Sequence, residues 1–209
     1  MPGILLADDH IIVRQGLRSL LERHGFEVVA EASDGREAVT LAEELRPEIA
    51  ILDLSMPILN GIEATREILK LGYGIRVVLL TMHSESADVL AALSAGVSAY
   101  VLKSRAAEHL VTAIEEVRQG NSYLSPQVSR SLVDALLVHT APPAEPLSTR
   151  ERQILQLIAE GMRTKEVAEF LSISVKTAES HRTKIMHKLG IHDTASLVRY
   201  ALRHGLIEP

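Results

Sequence analysis

A chain of 209 residues, 46% of them hydrophobic and with a net charge of −5, suits one large or two small domains with ordinary cores. The absence of cysteine excludes disulfides and thiolate metal sites and suits a reducing cytosol. No stretch approaches the ~20 consecutive apolar residues of a membrane span, and the amino terminus runs into a strand pattern without a charged signal-peptide head, so a cytoplasmic protein with no membrane partner is expected.

In chain order, Ile4–Ala7 is a short apolar run closed by Asp8 and Asp9, and Val13, Leu17, Leu20 and Leu21 follow at helical spacing. Gly25 punctuates that helix, and further strand-like runs come at Val28–Ala32, Ile49–Leu52, Val77–Leu80 and Val97–Leu102. Asp53 closes the third run, Thr81 the fourth and Lys103 the fifth, after which Leu110, Ile114 and Val117 return to helical spacing. Near-continuous Val/Ile/Leu strands alternating with amphipathic helices predict an α/β domain with a five-stranded, doubly wound parallel sheet covered on both faces. Such sheets place their chemistry at the carboxyl edge. Asp8, Asp9, Asp53 and Lys103 are therefore expected to share one pocket there.

After Gly120 the pattern changes. Ser125-Pro126 reads as an N-cap with proline at the first helical position, which predicts a helix over Gln127–Val138. The proline-rich residues 141–146 cannot continue it and, extended, span roughly 19 Å as a semi-rigid spacer. From Ser148 onward the segments are helical: a capping box at Ser148–Glu151, a break at Gly161, and a short helix from Thr164 through Leu171. A long helix capped by Ser174 then ends at Gly190, and a last one opens at Asp193 or Thr194 and runs to Gly205. A short helix, a tight turn and a long helix carrying Lys176, Arg182, Lys184 and Lys188 against Glu179 alone form a helix-turn-helix pattern. Residues 1–120 hold 11 Lys+Arg against 18 Asp+Glu and the remainder 11 against 9, so two domains with different partners are expected.

Three close carboxylates are stable together only with a bound cation or raised pKa values. With no His or Cys expected nearby, hard oxygen ligands favour Mg²⁺. A phosphoryl group fits beside such an ion, with Lys103 neutralising its charge, Thr81 donating a hydrogen bond and Asp53 as nucleophile. Asp8-Asp9, Asp53 with Met56-Pro57 and Gly61, Thr81, and Tyr100 with Lys103 together resemble the receiver domain of two-component response regulators over about residues 3–120. The resemblance implies a flavodoxin-like fold and phosphorylation of Asp53 by a cognate sensor histidine kinase. It further implies Mg²⁺ on Asp9, Asp53 and the Ser55 carbonyl with Asp8 acting through water, phosphoryl contacts from Thr81 and Lys103, and a switch pair of Thr81 and Tyr100. Aspartate-dependent phosphatases carry a second acid two residues after the nucleophile; Ser55 stands there, so no turnover of an external substrate is expected.

The segment Ser148–Ile207 resembles the LuxR-type helix-turn-helix of NarL/FixJ response regulators, through Leu147–Glu151, Thr164–Ala168, Ser174–His181, and Ile185 with Lys188-Leu189-Gly190. The resemblance directs Glu179, Ser180 and Thr183 at base edges of double-stranded DNA, where Glu suits a cytosine amino group and the Thr methyl suits thymine. Lys165, Lys176, Thr177, Arg182, Lys184 and Lys188 are expected mostly on phosphates, which position without specifying. His181 is open between packing, phosphate and base.

These readings divide the chain into a receiver at 1–120, a linker with one helix at 121–146 and a DNA-binding domain at 147–209. They predict a transcriptional regulator that dimerises on phosphorylation and binds paired promoter half-sites. The resemblance implies the outer face around the fourth helix and last strand as the dimer contact, and Leu197, Val198 and Ala201 of the final helix as either a second contact or part of the domain core.

Overall fold

Each apolar run becomes a strand because the sheet buries it on both faces, and consecutive side chains feed two separate cores. The computed structural model describes residues 3–82, 86–137 and 147–207. Strands β1 (Gly3–Ala7), β2 (Glu27–Ala32), β3 (Ile49–Asp53), β4 (Arg76–Thr81) and β5 (Ala99–Leu102) are all parallel and lie in the order β2-β1-β3-β4-β5. Ile4, Leu6, Ile49, Ile51, Val78, Leu80, Ala99 and Val101 point to one face, where α1 (Ile11–Arg23) and α5 (Ala106–Arg118) cover them with Leu17, Leu20, Leu21, Leu110, Ile114 and Val117. The alternate residues Leu5, Ala50, Leu52, Val77, Leu79 and Tyr100 meet α2 (Gly35–Leu45), α3 (Gly61–Lys70) and α4 (Ser86–Ala95) on the other. Period-two burial therefore builds the doubly wound sandwich.

One strand more is present than the five expected. Tyr123–Leu124 forms β6, parallel to β5 at the sheet edge. Two residues between polar neighbours carry no strand signal of their own. They are recruited by backbone bonds, Tyr123 N–H to Ser98 O at 3.1 Å and Ser125 N–H to Tyr100 O at 3.0 Å. Helix α6 (Pro126–Leu137) then returns onto α4, and its Val128 is fully buried in the same core as Tyr100. Residues 123–137, expected in a linker, are thus packed on the sheet, and the face around α4 and β5 expected for dimerisation is partly occupied by them. Ser125 precedes the helix as expected, but its buried hydroxyl makes no hydrogen bond. Val138 and the proline spacer 141–146 lie outside the described residues.

The chain divides into two compact units, one up to Pro142 and one from Pro143. The second consists of α7 (Thr149–Ala159), α8 (Thr164–Phe170), α9 (Val175–Leu189) and α10 (Thr194–Arg203). Ser148 and Glu151 form the expected capping box, Ser174 and Asp193 cap α9 and α10, and Gly190 ends α9 in the left-handed region at φ 63°. Ile154, Leu157, Ile158, Val167, Ile185, Leu197 and Ala201 close one core. Leu197 and Ala201 are fully buried in this core, whereas Val198, the third residue of the expected second dimer contact, is half-buried. Among the described residues, no helix is long and apolar enough to cross a membrane.

Close packing fixes one residue next to the strand ends. A Cβ on Gly61 would stand 2.1 Å from the Asp53 carbonyl oxygen, and the Gly61 N–H donates to Leu54 O at 2.8 Å. Gly61→Ala should therefore push the end of β3 away from α3 and destabilise the first unit by roughly 1–3 kcal/mol. Urea titrations of the full chain followed by NMR at the β3 amides check this; unchanged stability would show that the contact relaxes freely.

Candidate functional site

The carboxyl ends of β1 and β3 bring Asp8 and Asp53 together with almost no solvent exposure, at 0% and 1%. Both face Lys103, which opens a short 3₁₀ turn after β5 (Lys103–Arg105), with Nζ 2.7 Å from Asp53 Oδ2 and 2.9 Å from Asp8 Oδ2. Burial pushes the Asp53 carboxyl up to about 6, and the Asp8 charge adds to this, against Lys103 and a Ser55 backbone donor that favour ionisation. Burial also opposes the charge on Lys103, but the two carboxylates outweigh it and hold the amine above its ordinary range. Two acids share one ammonium, so the pocket keeps an excess of negative charge. Asp8 Oδ2 and Asp53 Oδ2 are buried against the Lys103 ammonium, and with Asp9 they form a cluster of carboxylate oxygens of the kind that suits a hard cation.

Thr81 is fully buried at the end of β4, Ser55 is buried just after β3, and Tyr100 is fully buried within β5 beside β4. The expected pocket residues are therefore assembled at one sheet edge. The expectation of a pocket free of histidine is wrong. His10 places Nδ1 2.8 Å from Asp9 Oδ1, and one ligand atom each of Asp8, Asp9, His10 and Asp53 lie within 4.8 Å of one another. The signal was its position: His10 follows Asp9 directly, and its N–H donates to Asp8 Oδ1 at 2.9 Å. Arg14 was also missed. Its guanidinium donates to the Asp8 carbonyl at 2.5 Å and to Glu31 at 2.9 Å, anchoring the end of β1.

On the second unit, Lys165, Lys176, Thr177, Glu179, Ser180, Thr183 and Lys184 are exposed along α8 and α9. Two residues expected on phosphates also contact their own unit, with Lys188 still exposed and Arg182 half-buried. Arg182 donates to Thr164 Oγ1 at 3.3 Å and Thr194 Oγ1 at 2.8 Å, tying the starts of α8 and α10 to α9. Lys188 Nζ lies 2.6 Å from Glu151 Oε2, the buried acid of the α7 capping box. Burial pushes that carboxyl up, but Lys188 and the Ser148 donors outweigh it and hold it below its ordinary range. His181 is partly buried, and its Nδ1 has no hydrogen-bond partner. Long side chains that look like a basic patch in sequence can fold back onto their own domain.

The pocket and the clamp each make a stability prediction. A carboxyl raised when folded keeps its proton in the native state between about pH 4 and 6, so its stability cost is absent below about pH 4 and complete above about pH 6. Asp53→Asn should therefore be more stable than wild type at pH 7 by on the order of 1–3 kcal/mol and no more stable near pH 4. Urea titrations across that range check this, and a gain independent of pH would contradict it. Lys188→Ala should destabilise the second unit by about 1 kcal/mol while leaving the salt dependence of DNA binding unchanged; a flatter salt slope would instead make Lys188 a phosphate contact.

Comparison with known proteins agrees with this geometry. Residues 4–115 match the response regulator receiver domain and residues 145–201 match the luxR family of bacterial regulatory proteins. The chain is 35% identical to the response regulator UvrY of Escherichia coli (strain K12), covering 99% of this chain and 96% of UvrY. It is 39% identical to the oxygen regulatory protein NreC of Staphylococcus aureus (strain bovine RF122 / ET3-1), covering 98% and 99%. Among solved structures, RcsB from Salmonella enterica serovar Typhimurium, bound to the promoter rprA in the presence of the phosphomimetic BeF₃⁻, matches with a TM-score of 0.68. That match has 30% identity and covers 95% of this chain and 97% of RcsB. Receiver domains generally use Mg²⁺ at such an acidic pocket. The chain belongs to the NarL/FixJ family of two-component response regulators, with a receiver domain followed by a LuxR-type DNA-binding domain.

Proposed function

We propose that Asp53 is the phosphoacceptor of a cytoplasmic transcriptional regulator and takes its phosphoryl group from a phosphohistidine of a cognate sensor kinase. The observation that carries this is the buried Lys103 bridge, 2.7 Å from Asp53 and 2.9 Å from Asp8. At pH 7 the Asp53 carboxyl, with its pKa near 6, is mostly ionised and nucleophilic. Its oxygen forms the new P–O bond while the donor's P–N bond breaks, and the electron pair returns to the imidazole nitrogen, which then takes a proton. Asp9, Asp53 and the Ser55 carbonyl, with Asp8 through water, would hold Mg²⁺, which when bound would neutralise charge on the phosphoryl oxygens. Lys103 pairs with one phosphoryl oxygen once phosphate replaces free carboxylate, and Thr81 donates to another. Thr81 and Tyr100 lie on neighbouring strands, so a pull on the Thr81 hydroxyl changes the space beside Tyr100.

In this reading the output is regulated DNA binding, without turnover of an external substrate, since Ser55 offers no second acid two residues beyond Asp53. The exposed face of α9 enters a major groove, with Glu179, Ser180 and Thr183 toward bases and Lys165, Lys176, Thr177 and Lys184 toward phosphates. Phosphorylation favours a homodimer, which matches two half-sites about one helical turn apart.

Incubation with Mg²⁺ and a small phosphodonor should label wild type with an acid-stable, hydroxylamine-labile phosphate and leave Asp53→Asn unlabelled; label on the variant would move the acceptor elsewhere. Selection from random DNA with and without BeF₃⁻ tests the output. Lys176→Ala should lower affinity evenly across sequences and reduce the salt slope by roughly one unit, whereas Glu179→Ala should shift preference at particular bases by ~1–3 kcal/mol. Identical behaviour of the two variants would reject this docking.

A further inference from the structure

We infer that His10 makes the acidic pocket a mixed carboxylate and imidazole site, selective for first-row transition ions such as Co²⁺ and Zn²⁺ over Mg²⁺ beyond what its carboxylates alone provide. The inference rests on reading the pocket as the receiver's cation site and concerns which cation it prefers.

The backbone around His10 is anchored, and its ring is half exposed beside the acids. Its N–H donates to Asp8 Oδ1 at 2.9 Å and its carbonyl accepts from Arg14 N–H at 3.0 Å, whereas the side chain is half exposed at the start of α1. The ring leans into the acids, with Nδ1 2.8 Å from Asp9 Oδ1 and 3.6 Å from Asp8 Oδ1. Ligands about 2.1 Å from a shared ion stand roughly 3.0 Å apart when adjacent and 4.2 Å apart when opposite. The 2.8 Å pair is close to the adjacent separation and the 3.6 Å pair lies between the two, so a small rotation of the half-exposed ring would bring both acids into one coordination sphere with it.

Charge points the same way. Lys103 approaches Asp8 and Asp53 on their Oδ2 atoms, while His10 lies on the Oδ1 side of Asp8. The carboxylates of Asp8, Asp9 and Asp53 belong to the same four-residue group as the ring, with one possible ligand atom from each residue within 4.8 Å of the others. An ammonium and an imidazole thus flank the acids from different sides, and only the imidazole can serve as a ligand. Mg²⁺ gains little from that nitrogen because it prefers oxygen ligands and keeps its water. Imidazole suits Co²⁺ and Zn²⁺, and their affinity rises along the Irving–Williams series.

Calorimetric titrations with Mg²⁺ and with Zn²⁺, on full-length wild type and His10→Ala, test the selectivity. The chain has nine histidines, so the ring ¹⁵N resonances of His10 provide the site-specific readout. Zn²⁺ should shift His10 Nδ1, and His10→Ala should lose roughly tenfold or more in Zn²⁺ affinity at the pocket while its Mg²⁺ affinity changes by less than about twofold. An unshifted His10 resonance, or an unchanged ratio of Zn²⁺ to Mg²⁺ affinity, overturns the role of His10 and leaves the pocket reading standing. Absence of Mg²⁺ binding in wild type overturns both.

Discussion

Two buried carboxylates sharing one ammonium is the constraint on which the first unit turns. Asp8 and Asp53 are removed from water by the ends of β1 and β3, and Lys103 neutralises one charge of the two. The fold tolerates this because the surrounding sheet is built from fully buried Val, Ile and Leu. The remaining negative charge is a stored preference for a cation or for chemistry that consumes a carboxylate. A pocket made stable by a second lysine would fold better and bind less.

Around that pocket the structure joins the strand ends to the outer edge of the sheet. The Tyr100 carbonyl holds the Ser125 N–H, the Tyr100 side chain shares a core with Val128, and α6 lies on α4. One hydrogen bond and one packed cluster therefore connect β5 to the start of α6. The Ser125 hydroxyl, buried without a partner, makes this attachment weaker than its burial alone would give.

In the second unit the cost of holding four short helices with a small core is met by polar clamps. Arg182 ties the starts of α8 and α10 to the middle of α9, and Lys188 reaches the capping box of α7. Both charges remain accessible to solvent while helping to hold the helices together. What remains exposed on α9 is a narrower strip in which Glu179, Ser180 and Thr183 sit among Lys176 and Lys184.

Much of this was legible in the amino-acid order. Period-two and period-3.6 patterns determined the five principal strands and their helices, because burial on both faces of a parallel sheet leaves few other solutions. Asp53 and Lys103 were readable because a charged residue closing an apolar run has to lie at the sheet edge. Capping boxes and glycines marked the ends of the later helices. Tertiary structure alone decided what depends on partners far away in sequence: β6 exists because the β5 segment offers it carbonyls, and the Lys188 amine pairs with Glu151 because the fold brings the two 2.6 Å apart. It also settled Leu197 and Ala201 as interior, since an apolar helix face looks the same in sequence whether it meets its own core or a second copy. His10 belongs to this class. Its neighbours in sequence were known, but only the turn from β1 into α1 aims its ring at the carboxylates.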